Sequence, residues 1–426
     1  MTLPPDAIAT LLADPLLPEV FARLCDCGGR LAGTASERRA LDLCRQYGEA
    51  AGGYPVTVVP TPYPGWRSTA ASLTLVTDGP AVSLTCLPLV RSVNTAPEGI
   101  EVEVVSVGRG TSEEFSALGD SLRGRIALVR HEYMFAAGHI HRRRKYGAAL
   151  AAGAVGFLIA GAGPTLAVTG SSGRGTENGI PAMGISPEAA ARLLPAGGTL
   201  ARVRMVIEGV EAPAVTDTLL FDVPSTAPGW IVLSAHIDGR DPAESAMDNA
   251  TGVAVALSVL RALAPYKAQF KRGLRLALFS AEEWALTGSR VYLAGLLEVE
   301  RSRIVLNVNL DSVGGDGALT ALCSGFPALG DFVRTISSES GMPVGVYMPL
   351  MENSDHANFA AHGIPALRLV AGFDAPGGNL RHVLTAADTR DKVSIGELRL
   401  AALAASALIW TALTADDAEL AALRQR

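Results

Sequence analysis

The sequence predicts an α/β protein with a mostly parallel central sheet covered by helices, and a β-rich insertion in its first half. From Trp230 onward, mostly apolar strand-like runs alternate with helix-like runs, the pattern of a parallel sheet buried on both faces. Between residues 73 and 212 that alternation gives way to strand-like runs separated by glycine-rich turns. The chain has 426 residues, 49% hydrophobic and 18% charged. At roughly 150 residues per domain, that length suits two to three domains with a sizeable core.

Taken in order, residues 1–72 open with helical patterning. Over Arg38–Ala51, Leu41, Leu43, Cys44 and Tyr47 fall near helical spacing, and the proline-rich stretch 55–64 is extended. The insertion, 73–212, carries strand-like runs at 73–76, 102–107, 125–129, 155–160 and 203–207, interrupted by one strong helix at about 142–152. The third region, 213–426, has strand-like runs at 230–235, 274–280, 304–310 and 366–370. Helix-like runs at 253–264, 287–297, 328–340 and 395–414 lie between and after them. The uncharged stretch from Tyr146 to Arg174 is broken by glycines and reads as helix, turn and buried strand rather than a membrane span.

Composition excludes several partners. With 36 Lys+Arg against 42 Asp+Glu the net charge is −6, which offers no bulk attraction to nucleic acid or an anionic membrane. Aromatic residues are only 5%, too few for a stacking platform. The 5 cysteines are scattered and odd in number, which argues against a disulfide framework or a cysteine zinc site. Residues 1–19 lack the basic flank of a secretory leader, and together with the cysteines this gives a cytoplasmic expectation. The basic run His139–Lys145 reads as the opening of a surface helix.

Chemistry concentrates in the third region. In an open α/β sheet, ligands bind beyond the carboxyl ends of the strands. The run 230–235 ends in His236-Ile237-Asp238, 274–280 in Ala281-Glu282-Glu283, 304–310 in Asp311, and 366–370 leads to Asp374 and His382. The loop containing Asp248-Asn249-Ala250-Thr251-Gly252 feeds directly into a helix. Singly, each has a plain structural reading. His236 can be a satisfied polar group, Asp248 an N-cap, Glu282-Glu283 a solvated helix start and Asp311 a strand terminator. Four such endings in succession on one sheet edge point instead to a cationic centre, because gathered carboxylates repel unless a cation offsets them. Mixed histidine and carboxylate donors suit zinc better than calcium or magnesium.

The series His236-x-Asp238, Asp248-Asn249-x-x-Gly252, Glu282-Glu283, Asn309-x-Asp311 and Ser354-Asp355-His356 resembles the co-catalytic zinc exopeptidases of metallopeptidase family twenty-eight. Arg30-x-x-Gly33-Thr34 is similar to that family's N-terminal segment. The middle region, through Leu122-x-Gly124-Arg125-Ile126-Ala127-Leu128-Val129, the run 151–156 and the run 180–186, resembles a protease-associated domain. The resemblance implies two zinc ions, a bridging Asp248, one site completed by His236 and Asp311, and the other served by Glu283. It implies Glu282 as general base and Asp238 as the group that fixes the His236 ring.

The family closes its second site with a His-Thr pair. Here the frame Leu384-Thr385-Ala386-Ala387-Asp388-Thr389 has leucine instead. Either His382, on the same side if that stretch is extended, serves as the ligand, with His356 as second choice, or the second metal is absent or differently held. The implied activity is metal-dependent hydrolysis of terminal peptide bonds, with aminopeptidase favoured and a peptide as the partner. The alternatives are a single-zinc glutaminyl cyclase-like transferase, which would need Asp248, Glu283 and the downstream histidine, and a non-catalytic binding protein with a decayed site.

Overall fold

The computed structural model describes residues 3–161, 166–175, 178–194 and 200–425. The chain divides into two units: Met1–Tyr63 with Val215–Val383 and Asp388–Arg426, and Pro64–Ala214 with Leu384–Ala387.

In the first unit the strands lie in the order Val344–Tyr347, Leu319–Leu322, Ala366–Ala371, Ile304–Leu310, Trp230–His236, Gly273–Phe279 and the C-terminal part of Arg202–Val223. Trp230–His236 is parallel to both its neighbours, and Ile304–Leu310 is parallel to Ala366–Ala371. The antiparallel pairings are Leu319–Leu322 with Ala366–Ala371 and Gly273–Phe279 with Arg202–Val223. Almost every residue of the three central strands is buried, whichever face it points to. Both faces are therefore covered, which is why these strands read as continuous apolar runs.

Helix Thr251–Leu263, buried everywhere except Arg261, packs against the three central strands. Around it lie Leu16–Asp26, Ala35–Gly52 and Ile395–Thr414. The last of these is long and apolar enough to cross a membrane by length and composition, but here it is largely buried against the sheet and its neighbouring helices. Helices Thr287–Gly295 and His356–Ala361 form a second packed pair. The short strands Leu319–Leu322 and Val344–Tyr347 escaped the sequence pattern because four residues carry too little periodicity to register.

The second unit is less purely β than expected. Ile100–Gly108, Ile126–Arg130, Gly156–Ala160 and Ala182–Ile185 run parallel in succession, flanked by antiparallel Cys86–Pro88 and the N-terminal part of Arg202–Val223. Parallel neighbours need crossover connections. Beyond the expected helix, Arg142–Ala151, helices Ser112–Leu118 and Pro187–Arg192 occur here too. Both have legible starts, a capping box at Thr111 and Glu114 and a Ser186 cap ahead of Pro187, but each is too short to show a hydrophobic period. Leu128, Leu158, Met183, Ile185, Val203 and Ile207 are among the apolar side chains that fill this unit's core.

The basic run is only in part the surface helix start expected of it: Arg143 and Arg144 are exposed, whereas Arg142 and Lys145 are buried. The Lys145 ammonium is buried and donates to the Arg130 carbonyl at 2.8 Å and to Glu132 at 2.6 Å. The Arg142 guanidinium is buried too, donating to the carbonyls of Ser171 and Thr169. Carbonyls in this buried or part-buried setting need donors, and these two side chains supply them.

Candidate metal centre

Strand register brings the site residues to one level. Asn309 pairs with Ser234 and Phe279 pairs with His236, all in parallel. Two residues past Asn309, Asp311 is therefore level with His236, and Glu282-Glu283 follow just beyond Phe279. His236, Glu282 and Asp311, all buried, each offer a donor atom, and the three atoms lie within 4.8 Å of one another. Among the described residues, no other group of three His, Cys, Asp or Glu side chains converges in this way.

The His236 ring is turned so that Nδ1 donates to the Asp238 carbonyl oxygen at 2.9 Å. The Asp238 carboxylate is 3.7 Å from the same nitrogen and is engaged elsewhere, accepting the backbone N–H groups of Glu282 and Glu283 at 3.1 Å each. Residue 238 thus sets the ring through its backbone, whereas its side chain sets the two glutamates. With Nδ1 donating, Nε2 is the ring atom turned toward the carboxylates. It makes no hydrogen bond and faces Asp248 Oδ1 at 3.1 Å and Asp311 Oδ1 at 3.5 Å. Carboxylates gathered around one imidazole need a positive charge among them, which a protonated ring or a bound cation supplies. Two donors about 2.0–2.1 Å from one tetrahedral zinc are roughly 3.3 Å apart, so these spacings suit such an ion.

Backbone strain surrounds this point. Ser245, Ala281 and Ser312, all non-glycine, have φ of 49°, 56° and 60°. Each costs on the order of 1–3 kcal/mol, and neighbouring contacts hold each in place. The Asp238 carboxylate pins the turn after Ala281. Asn249 Oδ1 accepts from the N–H groups of Gly252 and Ser312, while its amide donates to the Leu310 carbonyl. Asn249 thereby takes the capping role read for Asp248 in the sequence, and the Asp248 carboxylate faces His236 instead. Gly252 completes the motif, because a Cβ there would lie 2.3 Å from the Leu310 carbonyl oxygen. The Arg30 guanidinium, fully buried, donates to the carbonyls of Ile237, Glu244 and Ser245 and to Leu24 and Gly28. It ties the His236 strand end to the Asp248 loop.

The remaining carboxylates are balanced by two arginines that sequence reasoning missed. Arg368 lies 3.2 Å from Asp311 Oδ2. Burial would raise the Asp311 carboxyl, but Arg368 and His236 outweigh it and hold it well below the usual range. Arg240 Nε and Nη2 reach Glu283 Oε2 at 2.6 and 2.5 Å, and Nη2 also donates to the Glu283 carbonyl at 2.8 Å. Burial pushes Glu283 up to about 7 against the pull of Arg240. Burial also raises Glu282 well above its usual value, and takes Asp355 and Asp388 to about 7. For His236, burial disfavours the charged ring, but Glu282, Asp238, Asp248 and Asp311 raise it well above its usual value.

Asp388 was read only as part of a frame, yet its carboxylate accepts the N–H groups of Met247 and Asp248 at 2.7 and 3.2 Å. It holds the Asp248 loop. A lone arginine in the apolar run Ala-Leu-Arg-Leu-Val was the available signal for Arg368, since a charge inside a buried strand must be paired. Arg240 had no such signal.

His382 does not join the group. Its segment is a 3-10 turn, Asn379–His382, rather than extended, and its charged neighbours are Arg381, Lys392 and Asp391. His356 is buried beside Arg368, and burial takes it down to about 3; it is also outside the group. Leu384 belongs to the second unit, with φ 63° and its carbonyl accepting from the Thr169 N–H and hydroxyl.

The profile of Peptidase family M28 matches residues 219–409, the span that holds every strand end just described. Residues 219–409 form a peptidase family M28 domain. The PA domain profile matches residues 85–193, within the second unit. The chain is 24% identical over 286 residues to Aminopeptidase YwaD of Bacillus subtilis (strain 168), covering 66% of this chain and 60% of that protein. It is 26% identical over 287 residues to Carboxypeptidase Q of Bos taurus, covering 64% and 60%. Its matches thus span well under two thirds of the length of these relatives. Among solved structures, it is similar to the aminopeptidase from Aneurinibacillus sp. strain AM-1, at TM-score 0.71 and 26% identity over 96% of both chains.

Two substitutions test the scaffold of this M28 site. Arg30→Met strands five carbonyls, three of them in buried hydrogen bonds, and is expected to lower stability by roughly 3 kcal/mol or more, read by denaturant unfolding. Gly252→Ala should cost about 1–3 kcal/mol by forcing the helix away from the Leu310 strand. A Gly252→Ala midpoint equal to that of the parent would refute the close-approach argument.

Proposed function

We propose that this protein is a zinc-dependent exopeptidase, and specifically an aminopeptidase acting on peptides with a free N-terminus. The observation that carries the reading is the buried convergence of His236, Glu282 and Asp311, with Asp248 facing the unpartnered His236 Nε2. His236, Asp248 and Asp311 would hold the ion. When bound there, zinc supplies Lewis-acid activation of water and of the scissile carbonyl.

The chain's own residues do the rest. Glu282 is the general base: its carboxylate takes a proton from the attacking water and returns it to the departing amine. The Asp238 carboxylate fixes the backbone N–H of Glu282 and so aims that base. Arg368 keeps Asp311 ionised. Burial of the cluster excludes bulk water and strengthens every charge interaction within it.

The aminopeptidase choice draws support from the aminopeptidases among its relatives, although Carboxypeptidase Q stands beside them. A cyclase-like transferase is disfavoured, since Glu283 is engaged by Arg240 and residue 384 is leucine.

Glu282→Gln should retain bound metal and lose about 10²-fold or more of kcat on aminoacyl anilides. Hydrolysis at the parental rate would remove Glu282 as the base. Asp248→Ala should lose the metal, measured by elemental analysis, and full retention would exclude it as a ligand. A parallel panel of N-blocked peptides and N-terminal glutamine substrates separates amino- from carboxypeptidase and from cyclase activity.

A further inference from the structure

Two ions are what the resemblance leads one to expect, and the residues present fit only one. At His236 the donors face one another with no hydrogen bond on Nε2. At Glu283, Oε1 is likewise buried without a hydrogen-bond partner, but the other oxygen is in contact with a cation. Its Oε2 already accepts two guanidinium nitrogens of Arg240, at 2.5 and 2.6 Å, and its backbone carbonyl accepts a third contact from the same group. Arg240 is buried, and Ser245 holds its backbone N–H at 2.8 Å.

A guanidinium stays charged at any physiological pH, so it cannot surrender its place by losing a proton, as a lysine or histidine can. A divalent ion on Glu283 would have to share the same carboxylate with a cation in contact with it, inside a buried site where like charges are poorly screened. The ligand set is short as well. The position that the family fills with histidine is Leu384, and His382 sits in a 3-10 turn outside the donor group.

We infer that this chain holds a single metal ion, on His236, Asp248 and Asp311, and that the Arg240 guanidinium takes the place of a second ion beside Glu283. The inference rests on the metallopeptidase reading above and deepens it. Glu283 becomes a positioning residue whose charge is cancelled by Arg240. Asp248 becomes a ligand to one ion rather than a bridge between two.

The test is metal stoichiometry and spectroscopy of the full chain. The protein is stripped with chelator, reloaded with excess zinc or cobalt(II), desalted, and its metal counted while aminoacyl anilide hydrolysis is followed in parallel. One ion per chain is expected, with a cobalt(II) magnetic resonance signal free of spin coupling. His236→Ala should then hold none, because no second site remains, and Glu283→Gln should still hold one if its circular dichroism matches the parent.

Two ions with a spin-coupled cobalt signal, or one ion retained by His236→Ala, would overturn the single-ion inference. If that protein still hydrolyses its substrate, the peptidase reading stands. A parent chain that binds no metal and hydrolyses nothing would overturn the peptidase reading itself, and the single ion with it.

Discussion

One imidazole nitrogen and two carboxylates set the terms for the rest of the site. His236 Nε2 lies 3.1 Å from Asp248 Oδ1 and 3.5 Å from Asp311 Oδ1. Left alone, such a group repels itself, and burial removes the water that would soften the repulsion. The surroundings consist of devices that hold these atoms together regardless: parallel register, a ring turned by a backbone carbonyl, and an asparagine that caps a helix so that the adjacent aspartate need not. Several left-handed residues at the strand ends are kept in place by the same hydrogen bonds.

The two arginines divide the site electrostatically. Arg368 approaches Asp311 from the side away from the imidazole, using Oδ2 and leaving Oδ1 toward His236. It favours the ionised carboxylate without blocking the oxygen that faces the ring. Arg240 likewise takes one oxygen of Glu283, Oε2, together with the residue's backbone carbonyl, and leaves Oε1 without a hydrogen-bond partner. One cation prepares a carboxylate for a ligand and the other replaces a ligand. The distinction lies in what else each carboxylate meets: Asp311 Oδ1 faces the His236 ring, whereas Glu283 is contacted by Arg240 through side chain and backbone alike.

Much of this was legible before any coordinates. The alternation after Trp230, the apolar runs buried on both faces, and the placing of His236, Asp248, Glu282 and Asp311 at successive strand ends all follow from residue order, because parallel strands deliver their carboxyl ends to one edge. Asn249 and Gly252 were legible as a motif but not as a mechanism. The short strands at 319–322 and 344–347 and the helices at 112–118 and 187–192 were lost, since periodicity needs more residues than they contain. His382 was misjudged for a related reason: its side would follow only from an extended backbone, and the chain there turns in a 3-10 step.

What the sequence determined by itself is the kind of chemistry, since the type and order of polar groups at strand ends depend on local pattern and parallel connectivity. What the tertiary structure alone decided is how those groups are shared out. Arg240 is two residues from Asp238 in the chain but meets Glu283, forty-three residues on, and Asp388 meets the backbone of Asp248 from a segment one hundred and forty residues away. Such pairings are set by loop paths and close packing, which carry no period, so only the folded chain shows which carboxylate is left open and which is already answered.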